Sequence, residues 1–235
     1  MTDTVSANRA FFNEHAAQYD KKFESARRVI ERQVKDNIDF IGAAKGGRLL
    51  DYACGTGFLS TAMSDHLGQC IGIDVSESMV EAYNAKARSA GFSAEERIAY
   101  TGDLLDPSVP SPADFSDARF QDFDMAGVGA GFHHFDDCTL AATRLAERLR
   151  PGGVLFVLDF VATGPHSDTT AAEAEKRGVR HHGFNEDMMR RIFEGAGAGR
   201  NFGFLEMDQD VVFDGFGKEG KNMVRRVFLA RGEKV

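Results

Sequence analysis

From residue 48 onward, short apolar runs alternate with polar stretches of helical period. Leu49, Leu50, Tyr52 and Ala53 are apolar in near succession, the pattern of a strand covered on both faces. The run predicts a first strand over 48–53, followed by a turn at Gly55 and Gly57 and a helix over 58–67. A second strand is expected over 69–75, ending in Asp74, with Ser76 capping a helix over 77–90 that Gly91 ends. Further strands are expected over 97–103, 123–130 and 154–161. Residues 105–119, with Pro107, Pro110 and Pro112, read as a loop. Asp136 or Asp137 caps a helix reaching Leu149, and Pro151-Gly152-Gly153 forms the turn before the fifth strand. Repeated strand–helix units imply an α/β fold with a Rossmann-like, doubly wound, mostly parallel sheet.

The two ends of the chain break this rhythm. Residues 8–20 and 23–41 read as helices, the second with Val29, Val34, Ile38 and Ile41 as a rough apolar stripe. They precede the first strand and can cover a site at the sheet edge. Residues 162–184 are polar without a clear period and read as a lid or crossover. Asn185 caps a helix through Glu194. Strand-like runs over 202–213 and 223–230, separated by Gly215, Gly217 and Gly220, read as a hairpin, which gives the sheet an antiparallel C-terminal edge strand. The expected organisation is one domain over 1–235, with a helical cap over 1–45 and a core over 46–235.

The net charge of −8 over 235 residues argues against a broad nucleic-acid face. Three cysteines, with no CxxC pair, suit free thiols in a reducing compartment. No signal peptide is apparent, and no apolar run approaches the ~20 residues of a membrane span. A cytoplasmic protein is expected, with the nucleus as the alternative.

Gly55 and Gly57 let the backbone turn tightly and let a ligand approach it. The following helix turns its free N–H groups and positive dipole end toward the turn. Two ligand classes fit such a loop. A dinucleotide wants a third glycine, and that position holds Ser60. Asp51 close to the loop suits a cationic ligand better than a pyrophosphate.

Leu50 to Gly57 resembles the first motif of class I S-adenosylmethionine-dependent methyltransferases. Ile71 to Met79 resembles the second, Thr101 to Leu104 the third, and Phe123-Asp124 with Phe132-His133-His134-Phe135 the fourth. Leu149 to Gly153 matches the turn before their fifth strand. Five motifs in order are far more specific than one. Within that family the chain looks similar to the small-molecule branch related to ubiquinone and menaquinone C-methylation. The resemblance implies S-adenosylmethionine as cofactor. Gly55 and Gly57, with Ala53 and Gly129 nearby, would receive its methionine end, and Asp51 would lie near the ammonium group. Asp74 would accept both ribose hydroxyls. Val75 and Met79 would pack on the adenine, Asp103 would accept from its amino group, and Leu104 would give a backbone N–H. Tyr19 would close over the methionine end.

Methyl transfer needs a general base only where the acceptor still holds a proton. His133 and His134 are the candidates, and adjacent residues point different ways, so one of them is expected to face the pocket. A structural role for both remains open. His181-His182, before Gly183-Phe184, read as turn-fixing residues. The spacing of His, Cys and carboxylates supports no metal site. Cys54 reads as a small packing residue. Gly127, Gly129 and Gly131 lie on one face of the fourth strand. Close helix packing is expected at Gly127, and a widened acceptor site at Gly129 and Gly131. Phe11, Phe12, Phe23, Phe160 and Phe184 are core candidates, and any at the pocket mouth would imply an apolar or aromatic acceptor. A small-molecule acceptor is the first reading. A regulatory protein methyltransferase, or a cofactor-binding partner subunit of a heteromeric complex, is the alternative.

Overall fold

The first strand, β1 (Gly47–Tyr52), is an interior strand of a seven-stranded sheet. The computed structural model describes residues 4–106, 115–162 and 178–235. Residues 107–114 of the expected loop, with its three prolines, and most of the expected lid over 162–184 lie outside the described residues. Parallel neighbours of β1 are β2 (Leu67–Asp74) and β4 (Phe123–Gly129). β3 (Arg97–Thr101) flanks β2, and β5 (Leu149–Phe160) flanks β4, both in parallel. The chain therefore builds outward on one side of β1 and then returns to its other side. A ligand crevice belongs outside the carboxyl ends of the strands at such a reversal.

Beyond β5 the direction changes. β9 (Val227–Glu233) lies antiparallel between β5 and β6 (Arg200–Glu206), so β6 stands at the edge, antiparallel to its neighbour. The two runs expected as one hairpin each divide. Their near ends, β7 (Val211–Phe213) and β8 (Met223–Arg225), leave the main sheet and form a separate antiparallel pair. The Arg226 Nε–Asp210 Oδ1 contact of 2.8 Å pins this departure.

Helices cover both faces. On one, α6 (Cys138–Glu147) and α7 (Glu186–Gly195) bury Ala141, Ala142, Leu145, Met189 and Phe193 against Leu50, Ile71 and Leu155. Asp137 caps α6 and Asn185 caps α7. On the other, α2 (Glu24–Asp36), α3 (Ile38–Ile41) and α4 (Phe58–Ala62) pack Ile30, Val34, Ile41 and Leu59 against Leu49, Met125 and Phe156. The buried stripe of α2 is Ala26, Ile30 and Val34, whereas Val29 and Ile38 are only partly covered. The helix expected over 23–41 breaks because Asn37 turns its side-chain amide onto the Gln33 carbonyl at 2.8 Å, competing with the helical ladder. α1 (Thr4–Lys22) precedes it, and α5 (Glu77–Ser89) follows β2.

Two further expectations are corrected. The helix over 58–67 stops at Ala62, where Arg97 donates to the Ser60 carbonyl and to Ser64 Oγ, and β2 begins at Leu67. Pro151-Gly152-Gly153 lies inside β5: Leu149 pairs with Phe123 and Val154 with Met125, so the intervening residues bulge out of register.

The glycines of β4 make room for specific neighbours. A Cβ on Gly127 would sit 2.3 Å from the Phe156 ring, which lies across from it on β5. The expected helix is thus replaced by an adjacent aromatic. Helix α4 makes its close approach one pair further on, where a Gly129 Cβ would lie 2.7 Å from Leu59. Overpacking the first position costs about 1–3 kcal/mol. Gly127→Val is expected to lower unfolding free energy by about that amount in urea titration, and Phe156→Leu in the same chain should restore part of it.

Candidate ligand site

The glycine loop leaves β1 through Ala53 (φ +53°), Gly55 (φ +52°) and Gly57 (φ +87°). Its shape is held by Asp74 at the end of β2. One carboxylate oxygen accepts from the Gly55 N–H at 2.9 Å, and the other from the Ser76 N–H at 2.9 Å. One side chain thereby joins the loop to the start of α5, which Ser76 caps through the Met79 N–H. A Cβ on Gly55 would meet nothing within 4 Å, so this backbone borders open space. Gly57 is different. A Cβ there would lie 2.9 Å from the Tyr83 ring, and its role is tight packing.

α1 lies over this region through polar contacts. Asp20 accepts from Thr56 Oγ1 at 2.5 Å and from Lys86 Nζ at 2.7 Å, and pairs with Arg27. Burial opposes ionisation of Asp20, but the Lys86 and Thr56 hydrogen bonds and the two cations hold its pKa below the ordinary value. Asn13 accepts from Ser76 Oγ at 2.6 Å and from the Ser78 N–H at 3.1 Å, and donates to Glu77.

Beneath α1, the ends of β1 and β4 and the β7–β8 pair lies a cavity of about 250 Å³. Of the sequence-predicted residues, Tyr19, Ala53, Gly55, Asp74, Val75, Met79, Gly129, His133 and His134 line it. Asp51, Gly57, Asp103 and Leu104 do not. Asp51 is buried under α4. Asp103 accepts the Tyr52 hydroxyl at 3.0 Å, and that hydroxyl accepts the Leu104 N–H at 3.3 Å. Gly131 also borders the cavity, but the space a side chain would take faces Ala53, as that of Gly129 faces Leu59, so these glycines serve packing rather than a wider site. Phe11, Phe12, Phe23 and Phe160 line the wall, while Phe184 is buried between Phe132 and Phe228. Cys54 is buried, lies against Gly72 and has its thiol pushed up by burial.

The histidines have fixed partners. His133 Nδ1 lies 2.9 Å from Asp159 Oδ1, and the His133 backbone N–H donates to Oδ2 at 3.1 Å. A carboxylate accepts only, so Nδ1 carries the proton. Asp159 is fully buried and does not line the cavity, so the ring turns its other edge, Nε2, to the interior. His134 donates from Nδ1 to the Gly178 carbonyl at 3.0 Å. Burial, then the neighbouring His133, pushes its pKa down to about 3. His181 donates to the Phe135 carbonyl at 3.0 Å, a turn-fixing contact. The sequence reading missed Asp159, although a lone acid at the end of an otherwise apolar run was a usable signal. It also missed Asp20, Asn13 and the wall residues Phe213, Phe216, Met223 and Arg225. Among the described residues no group of three or more His, Cys, Asp or Glu is placed to hold a metal.

The carboxylates at the loop are strained electrostatically. Burial raises the Asp74 pKa against the opposing backbone N–H bonds. Burial raises that of Asp51 well above its ordinary value, the Ser60 N–H opposes this, and Asp74 adds to it. The Asp51 Oδ2 atom is buried without a hydrogen-bond partner.

A methyltransferase domain model matches residues 24–198. The chain belongs to the methyltransferase domain family. It is 33% identical over 163 residues to an uncharacterised methyltransferase of Schizosaccharomyces pombe, covering 68% of this chain and 56% of that protein. It is 30% identical over 156 residues to a demethylmenaquinone methyltransferase of Staphylococcus aureus, covering 63% and 58% respectively. The chain thus spans little more than half the length of these relatives. Among solved structures, magnesium protoporphyrin IX methyltransferase of Synechocystis with bound S-adenosylmethionine has the same fold, with a TM-score of 0.64, 16% identity, and 100% of this chain and 99% of that one covered.

A carboxyl whose pKa is raised by folding destabilises the fold increasingly as pH rises through that raised value. Asp51→Asn in the ligand-free protein is therefore expected to raise the melting temperature at alkaline pH, with the gain shrinking as pH falls below the raised Asp51 value. Thermal melts across pH check this.

Proposed function

We propose that this site binds S-adenosylmethionine and transfers its methyl group to a small acceptor. The observation that carries the reading is the Asp74 bridge: a carboxylate at the end of β2 fixes the glycine loop and also borders the cavity. Family membership supports it. The residues present fit the cofactor. Gly55 leaves open space for close approach to its backbone, and the orphaned Asp51 oxygen leaves a polar acceptor unsatisfied behind the loop.

In this reading Asp74 receives the ribose hydroxyls, since each of its oxygens has spare lone pairs. Val75 and Met79 form the apolar bed of the adenine, and Gly55 with Ala53 borders the methionine end. Tyr19 and Gly129 close that end. Asp51 lies behind the loop and does not line the cavity. Asp103 and Leu104 brace Tyr52, which lines the cavity. The bound cofactor supplies a methyl group on a sulfonium, and the protein's work is to align an acceptor and exclude water. No helix among the described residues is long and apolar enough to cross a membrane.

Asp74→Ala should abolish binding of S-adenosylmethionine and S-adenosylhomocysteine in calorimetric titration while leaving a cooperative thermal unfolding transition. Unchanged affinity would remove the ribose role, and wild-type protein that binds NADH but neither of these would overturn the reading.

A further inference from the structure

Three observations meet at one wall of the cavity. His133 presents Nε2 to the interior, with Nδ1–H held by the buried Asp159 carboxylate. That carboxylate is itself fixed, accepting from the backbone N–H groups of His133 and Phe160. The rest of the wall is rich in rings: Phe11, Phe12, Phe23, Phe160, Phe213 and Phe216 border the same space. Three other titratable groups at the cavity are less suited. His134 has its pKa driven to about 3, too low to accept a proton readily. His181 spends its Nε2 on the Phe135 carbonyl. Asp74 is already bound by two backbone N–H groups.

We infer that His133 is the general base of the reaction, that Asp159 positions it, and that the acceptor is an aromatic hydroxyl. This rests on the proposed methyl transfer. The aromatic wall selects a flat apolar body. A fixed neutral imidazole is needed only where the acceptor carries a proton at neutral pH. A phenol does, with a pKa of about 10, and its proton grows more acidic as the oxygen begins to share its electrons. The acceptor's O–H bond breaks and the proton passes to His133 Nε2. The oxygen's electron pair forms the new O–C bond as the methyl carbon leaves the sulfonium, whose C–S pair stays on sulfur as a neutral thioether. The resulting imidazolium is stabilised by Asp159 and later releases its proton to solvent. A hydrogen bond from an Asn amide at position 159 would place the proton on Nε2 instead and silence the base.

The test uses full-length protein, methyl-labelled S-adenosylmethionine and a panel of naphthols together with an acidic nitrophenol that is already ionised at the assay pH. His133→Gln and Asp159→Asn are expected to lose roughly 10²–10⁴-fold in kcat on the un-ionised naphthols, with KM and S-adenosylhomocysteine affinity changed little. Both variants should retain most of their rate on the ionised nitrophenol. A second readout needs no turnover. A weakly acidic nitrophenol bound to wild-type protein should show more phenolate absorbance than when bound to His133→Gln. Equal losses on ionised and un-ionised acceptors would make both residues structural and overturn the inference, as would undiminished kcat on the naphthols. Wild-type protein that binds S-adenosylhomocysteine yet methylates no member of the panel would overturn the acceptor class. Absence of S-adenosylhomocysteine binding would instead sink the underlying methyl-transfer reading.

Discussion

The site depends on one carboxylate. Asp74 satisfies the Gly55 N–H with one oxygen and the Ser76 N–H with the other, so the turn after β1 and the start of α5 are set by a single rigid group. Both donors are backbone atoms that would otherwise lack partners in a buried turn. Because β1 and β2 pair in parallel up to Tyr52 and Ile73, the sheet delivers Asp74 beside the loop without any adjustable link. Everything else is arranged around that point: α1 docks onto the α5 start, and the cavity opens where the loop turns away.

Much of this was legible because it is local. Strand runs are apolar in succession, caps are single residues, and Asp137, Asn185 and Ser76 all do the capping their positions imply. What could not be read depends on distant partners. Nothing near Ala62 in the sequence announces that Arg97, thirty-five positions on, will take the carbonyl of Ser60 and end the helix. The alternate glycines of β4 were visible, but the occupants of their space, Phe156 and Leu59, come from another strand and another helix. The C-terminal runs look like one hairpin because a glycine-rich stretch separates two strand-like runs, while their division depends on which segment the β5 edge accepts.

For the candidate site, the residues that touch the cavity were mostly found through motifs, while the groups that hold them were not. Asp159 stands behind His133, and Asp20 sits behind Thr56. Such supporting residues are specified by three-dimensional contact rather than by spacing. Asp103 and Leu104 stand in the expected place in the sequence, where both hydrogen-bond the Tyr52 hydroxyl and Asp103 also accepts from the Leu105 N–H.

The attachment of α1 has a consequence for the cavity. Its fully buried residues are only Asn8 and Ala16, and its ties to the loop and to α5 run through Asp20, Asn13 and the exposed Arg9–Glu77 pair. Contacts of that kind contribute little individually and are weakened by salt. The sheet and its helices, by contrast, share continuous apolar cores. Partial unfolding should therefore begin at α1, as a unit of low local stability, while the rest of the protein stays intact. A cavity bordered by a helix held largely through polar contacts inherits that helix's sensitivity to ionic strength.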